Sequence, residues 1–168
     1  MSQEQLFKSP DMAMEDMLKG AGYSETAVNY IIGKPYMGTI SDADHISSMT
    51  GTCGDTMTIY LKIKDNIITD ARYEVLGCPG AVSAAMASVD IIRGKTIDEA
   101  HTLNDGDIFR VLEEIPAKKH HCIQIAVKTL HKALDEYKSG HSSINADGLN
   151  CETQCDDPKS CCTMNSTN

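Results

Sequence analysis

The chain has no tryptophan, two phenylalanines and six tyrosines, so its core must be filled without large rings. Met, Ala and aliphatic side chains do that filling, and 41% of the residues are hydrophobic, enough for a core. A long apolar run is also missing. None approaches the roughly 20 residues that cross a bilayer, which argues against a membrane protein. The opening segment MSQEQLFKSPDMAMEDM carries scattered acids and lacks an apolar stretch, so neither a secretory signal nor a transit peptide is expected. The expected location is the cytoplasm. Basic excess is absent too: 15 Lys and Arg stand against 24 Asp and Glu, a formal charge of −9. Nucleic-acid binding depends on a basic surface that displaces counterions, so no nucleic acid and no anionic membrane surface is expected as a partner.

What the chain does have is seven cysteines. In a reducing compartment these read as metal ligands or reactive thiols before disulfides. Composition divides the sequence into residues 1–22, a polar Met-rich extension; 23–139, which carries all the strong periodicity; and 140–168. The last zone is rich in Ser, Asn, Asp and Cys and too poor in apolar residues to offset its ordering entropy, so a disordered tail is expected.

Local signals predict the elements. Asp11–Lys19 is a short helix ended by Gly20. Ser24 caps a helix to about Ile32, stopped by Gly33 and Pro35. His45–Thr50 is an edge strand. In Thr56–Lys64, Met57, Ile59, Leu61 and Ile63 alternate with Thr56, Thr58, Tyr60 and Lys62. Asp65-Asn66 is a two-residue hairpin turn, and the return strand places Thr69, Ala71, Tyr73 and Val75 opposite Asp70, Arg72 and Glu74. Helices then follow: one opened by Pro79 and running over Ala81–Ile92 to Gly94, one capped by Thr96 with Glu99, one at Asp107–Glu114, and a long one. That last helix shows Ile123, Ala126, Val127, Leu130, Leu134 and Tyr137 at helical spacing. Strands first and helices after give an α+β fold, a small antiparallel three-stranded sheet packed by helices on one side.

Three cysteines fall at the ends of these elements. Cys53 lies in the loop Gly51-Thr52-Cys53-Gly54-Asp55, Cys78 ends a strand just before Pro79, and Cys122 opens the last helix beside His121. Helix N-termini stabilise thiolates, so Cys78 and Cys122 are expected to lose their protons readily. Any single free cysteine reads first as a small buried hydrophobe; the set, with Asp55 and His121 beside it, points to a shared metal site.

The order Cys53-Gly-Asp55, Gly77-Cys78 after a β-hairpin, then Lys119-x-His121-Cys122 opening a long helix resembles the IscU/NifU-type iron–sulfur cluster scaffold family. Tyr23-Ser24-Glu25, Pro35, Gly94-Lys95 and Asp98-Glu99-Ala100 add to the likeness, which covers about residues 22–139. The resemblance implies a site of Cys53, Asp55, Cys78, His121 and Cys122. It also implies a transient 2Fe–2S cluster built from Fe²⁺, with Zn²⁺ an alternative occupant of the isolated protein. Cys122 is the implied persulfide acceptor. The implied partners are a cysteine desulfurase, an electron donor such as a ferredoxin, apo iron–sulfur acceptor proteins and a second copy in a homodimer. Soft thiolates and imidazole suit iron–sulfur clusters and zinc, whereas Asp55 is a hard ligand from which a cluster leaves more easily. A scaffold is not an enzyme in the usual sense. The alternative within the same likeness is a zinc-dependent, SufU-like sulfur acceptor. His121 and the absence of a long insertion between Cys78 and Cys122 favour the scaffold.

Two departures stand out. Where relatives of the bacterial Isc type carry Leu-Pro-Pro-Val-Lys, a segment read by a dedicated chaperone, this chain has Ile115-Pro116-Ala117-Lys118-Lys119, which puts that partnership in question. The tail cysteines Cys151, Cys155, Cys161 and Cys162 match neither a zinc-ribbon nor a ferredoxin spacing; incidental thiols and a metal-capturing or redox appendage both remain open. His120 reads as a surface imidazole rather than a further ligand. His45, His101, His131 and His141 read as solvated or helix-surface residues, and Met12, Met14 and Met17 receive no function.

Overall fold

The structure, a computed structural model, describes residues 10–140. The tail cysteines and His141 lie outside the described residues. Three strands, β1 (His45–Thr50), β2 (Thr56–Lys64) and β3 (Ile67–Leu76), form one antiparallel sheet in the order β1-β2-β3. Among the described residues six α-helices accompany it: α1 (Pro10–Gly20), α2 (Glu25–Gly33), α3 (Pro79–Ile92), α4 (Ile97–His101), α5 (Asp105–Leu112) and α6 (His120–Ser139). This is the α+β architecture that the pattern of strands and helices implies.

The alternation in β2 decides which face of the sheet is covered. Met57, Ile59, Leu61 and Ile63 are buried, whereas Thr56, Thr58, Tyr60 and Lys62 are half-buried on the opposite face. Side chains of a strand point alternately to its two faces, so one face of the sheet takes the core. Helix α6 crosses that face over β1 and β2, and α3 packs beside it over β3. Small residues permit the close approach: Ala81, Ala84, Ala85 and Ala87 of α3 are completely buried, as are Ala126 and Ala133 of α6. The buried Tyr73 hydroxyl donates to the Ala126 carbonyl at 3.2 Å, pinning α6 to β3.

The β2–β3 turn follows the sequence. Asp65 and Asn66 both take left-handed φ angles of 52° and 65° and join the paired residues Lys64 and Ile67, as a tight hairpin requires. The facing of β3 does not follow it. Lys62 pairs with Asp70 but Ile63 pairs with Ile68, so Thr69 is the extra residue of a β-bulge. Thr69 therefore turns to solvent, and Ile68 takes the inner position beside Ala71 and Tyr73. Strict alternation cannot register an inserted residue; burial of the larger apolar side chain does.

The helix caps are those the sequence implies. The Ser24 hydroxyl accepts from the Ala27 N–H, and Thr96 and Glu99 form a reciprocal capping box. The helix expected at Asp107–Glu114 starts two residues earlier, because the Asn104 side chain accepts from the Gly106 N–H. One histidine is not where expected: His45 is buried, bonded to Glu136 at 3.2 Å with its ring edge-on to Tyr137, because α6 covers β1. Met12, Met14 and Met17 of α1 are exposed.

The bulge makes a direct prediction. Ile68→Ala should cost about 2–5 kcal/mol of unfolding free energy, and Thr69→Ala within about 0.5 kcal/mol of nothing, both read from urea denaturation. Equal costs at the two positions would contradict the register.

Candidate metal centre

Three turns meet at one end of the sheet. The β1–β2 hairpin closes through Gly51–Asp55: the Gly54 N–H donates to the Gly51 carbonyl at 3.0 Å, and the Gly51 N–H to the Asp55 carbonyl at 2.9 Å. Gly54 sits at φ +85°, a left-handed conformation natural to glycine. That turn places exposed Cys53 at the tip and brings Asp55 back over the sheet end. β3 finishes beside it, and Cys78 follows as the N-cap of α3, with Pro79 in the first helical position. After Pro116 a single 3₁₀ turn, Ala117–Lys119, leads into α6, which delivers His121 and the buried Cys122.

All five residues drawn from the sequence come together here. The sulfurs of Cys78 and Cys122 stand 3.5 Å apart, and the Cys122 sulfur is 3.5 Å from His121 Nε2 and 3.8 Å from Asp55 Oδ2. Ligand atoms fall into two overlapping groups, Cys53–Asp55–His121 and Asp55–Cys78–Cys122, each within 4.8 Å. Asp55 belongs to both and is the hinge between them. Its position depends on Gly77: a Cβ there would lie 2.8 Å from the Asp55 carboxyl carbon, so only glycine lets the carboxylate rest against the strand end.

The sulfur pair shares a proton unequally. Cys78 is pushed down to about 5, first by the hydrogen bond from the Cys122 thiol; its partial burial opposes this, the N–H of Ala81 favours it, the Asp55 charge opposes it, and the Lys119 ammonium favours it again. Cys122 goes up, because it donates to Cys78, is desolvated, and faces the negative charges of Cys78 and Asp55. The expectation that both thiols ionise readily is therefore corrected. Two thiols in contact cannot both be charged at little cost, and Cys78 is the one that caps α3 and takes the Lys119 hydrogen bond, whereas Cys122 feels Lys119 only through its charge. A cation between them would supply the missing positive charge.

Lys119 is a part of the site that sequence reasoning noted without assigning. Its stem lies on Gly80, where a Cβ would be 3.0 Å from Lys119 Cβ and 3.2 Å from Cγ, and its own pKa is raised by hydrogen bonding to Cys78. The Tyr23 hydroxyl also feels the two sulfurs: burial raises it most, and then the Cys78 charge. The signals were the lysine two residues before His121 and the Tyr23-Ser24-Glu25 motif, neither of which names a contact. His120 faces away, its ring edge-on to Phe109 at 4.9 Å between centroids. His101 pairs with Asp135 at 2.8 Å and stacks on His131, also remote from the five.

The sign of the thiol effect is testable. A folded-state pKa below the unfolded one means that Cys78 adds stability above the ordinary thiol range and loses it as pH falls through about 5. Cys122 behaves oppositely, losing its contribution as pH rises past the ordinary thiol range. Lys119→Met should move the midpoint of Cys78 alkylation by iodoacetamide upward by about one pH unit, and Lys119→Arg should largely restore it. Peptide mass mapping across a pH series reads the midpoint; an unchanged value in Lys119→Met would remove Lys119 from the site.

Comparison with known proteins identifies the family of the chain. Residues 23–143 match the family model described as NifU-like N terminal domain. Iron-sulfur cluster assembly scaffold protein IscU 1 of Archaeoglobus fulgidus is 33% identical over 124 residues, covering 73% of this chain and 81% of that protein. Iron-sulfur cluster assembly scaffold protein IscU of Escherichia coli is 33% identical over 122 residues, covering 70% of this chain and 94% of that protein. Among solved structures, a putative iron-sulfur cluster assembly scaffold protein for the SUF system from Fervidobacterium islandicum superposes with a TM-score of 0.57 at 23% identity, covering 67% of this chain and 96% of that one. A NifU-like protein (N-terminal) from Brucella abortus gives 0.57 at 18% identity, covering 75% and 98%; both likenesses concern the fold. With three thiols, a carboxylate and an imidazole converging where three chain segments end, this protein belongs to the NifU-like N-terminal domain family.

Proposed function

We propose that this protein is a scaffold on which a 2Fe–2S cluster is assembled and from which it is passed to apo-proteins. The observation that carries the reading is the pair of overlapping ligand groups sharing Asp55. One position is mostly sulfur and the other mixed, side by side, which suits two metal ions bridged by sulfide better than a single closed zinc site.

In this reading ferrous iron is cargo. It enters among Asp55, His121 and the cysteines, and neutralises the charge that keeps Cys122 protonated. A cysteine desulfurase delivers sulfur as a persulfide on Cys122. Two electrons from a ferredoxin-type donor then cleave the S–S bond, releasing sulfide to iron and returning Cys122 as a thiolate. Cys122 is fully buried and its sulfur touches Cys78, Asp55 and His121, so sulfur delivery requires the site to open. Asp55, a hard oxygen ligand among soft ones, gives the finished cluster its weakest attachment and so its route of exit. Zinc in the same positions is a resting occupant. Among the described residues no helix is long and apolar enough to cross a membrane.

Anaerobic reconstitution with ferrous iron, cysteine and a desulfurase tests the scaffold. A visible chromophore with iron and sulfide in near-equal amounts is expected; a colourless zinc protein that only accelerates desulfurase turnover would replace this reading with a zinc-dependent sulfur acceptor. Cys122→Ser should carry no desulfurase-derived persulfide at that position by mass spectrometry, and a persulfide accumulating normally at Cys53 or Cys78 would move the acceptor role there. Asp55→Ala should hold its cluster on the order of ten-fold longer against an apo-acceptor, about 1.4 kcal/mol in the transfer barrier, read from the decay of the visible absorption. A cluster lost faster than in the wild type would refute the role given to the aspartate.

A further inference from the structure

A shallow groove runs away from the centre on the Cys53 side, and its far part, along Gln124 and Lys128, takes no part in the interactions described so far. It encloses about 200 Å³ and is lined by the β1–β2 loop from Met49 to Cys53 on one wall and by His121, Gln124, Ile125 and Lys128 on the other. These helical residues are one face of α6, since positions three, four and seven apart stack along a helix. Over the seven residues from His121 to Lys128 the face extends about 10 Å. The floor is apolar and tightly closed: Ile125 Cδ1 lies 2.0 Å from where a Gly51 Cβ would be.

Among the described residues, three side chains of the groove, Cys53, Gln124 and Lys128, point no hydrogen bond or ion pair at the rest of the protein. Cys53 is the exposed cysteine of the three. Among the described residues, Lys128 has no ion pair and Gln124 no side-chain hydrogen bond, in a chain whose formal charge is −9. The contrast is one turn away, where Lys132 donates to the Ser48 carbonyl at 2.9 Å and pairs with Glu136. Thus one end of the groove holds a thiol and an imidazole within 4.8 Å, the far end holds an ammonium group, and an amide lies between. That order is complementary to a small molecule bearing sulfur at one end and a carboxylate at the other.

We propose that this groove binds a low-molecular-weight, carboxylate-bearing persulfide and that Cys53 takes the outer sulfur from it. The Cys53 sulfur attacks the terminal sulfur of RS–SH, the S–S bond of the donor breaks, and a new S–S bond forms on Cys53. The proton of the Cys53 thiol ends on the departing RS⁻. The exchange is Cys53–SH plus RS–SH giving Cys53–S–SH plus RSH, with no net oxidation. Lys128 positions the carboxylate and Gln124 a neighbouring polar group of the donor. The inference rests on the scaffold reading only in treating Cys53 as a sulfur-handling ligand. It adds a second sulfur entry, independent of a protein donor and on the outer face of the centre.

The full chain is exposed, metal-free and reduced, to cysteine persulfide or to cysteamine persulfide, which offers the same sulfur without the carboxylate. Peptide mass mapping then follows the added sulfur at each cysteine. Cys53 should gain sulfur first, and several-fold faster from cysteine persulfide. Lys128→Gln should reduce that preference roughly three- to five-fold, and Lys128→Glu should abolish or reverse it. Equal rates from both donors at Cys53, a preference unmoved by either substitution, or earlier labelling of Cys78 would overturn the proposal. Amide NMR with S-methyl-L-cysteine supplies a readout independent of reactivity: shifts confined to Gly51–Cys53 and Gln124–Lys128 are expected, and their absence at millimolar ligand would count against the groove. Desulfurase-fed cluster assembly is scored separately on the wild type. Normal assembly without a donor preference removes the groove alone, whereas a donor preference without assembly removes the scaffold reading and leaves the groove.

Discussion

The centre depends on one packing constraint, the crossing of α6 over the sheet and against α3. Two helices that meet through alanines come close enough for their N-termini to share a space, and the result is a 3.5 Å contact between the sulfurs of Cys78 and Cys122. Replace the small residues and the helices separate, whatever the ligands. The Tyr73 hydroxyl on Ala126 fixes the position of α6 along β3, so the sheet, the helix pair and the site form one mechanical unit. The apolar core is therefore not a passive base for the site; it sets the distance on which the thiol chemistry turns.

That distance has an electrostatic consequence. Two thiols in contact beside a carboxylate cannot accept full negative charge together, so the metal-free protein keeps one proton between them and places the charge on Cys78. Lys119 and the α3 N-terminus offset part of the charge. A divalent cation would offset more, and its entry would be coupled to loss of the remaining proton. Glycines at Gly77 and Gly80 belong to the same arrangement, since each leaves the volume that Asp55 or Lys119 occupies. The site is thus built as much from missing side chains as from present ones.

The five candidate site residues were legible in the sequence as a group because each stands at the end of an element, beside a turn or cap with its own local signal. Gly54, Pro79 and the start of the apolar periodicity of α6 mark those ends without any tertiary information. The three-stranded sheet and its hairpin were legible for the same reason: alternation in β2 and the Asp65-Asn66 turn are properties of neighbouring residues. Where a reading went astray, a non-local fact decided it. Thr69 and Ile68 exchange faces because a bulge lets the larger apolar side chain reach the core. His45 is buried because α6, ninety residues away, covers β1.

By itself the sequence determined which chemical groups are available, that they sit at chain turns, and the α+β order of the elements, since all of these follow from nearest-neighbour geometry. Only the tertiary structure decided which sulfur carries the charge, that Lys119 serves Cys78, that His120 faces Phe109 rather than the site, and that Lys128, without an ion pair among the described residues, stands along a groove from Cys53. Those outcomes depend on distances between residues tens of positions apart in the chain. Coulomb and desolvation energies vary with such distances steeply enough that no local pattern can encode them.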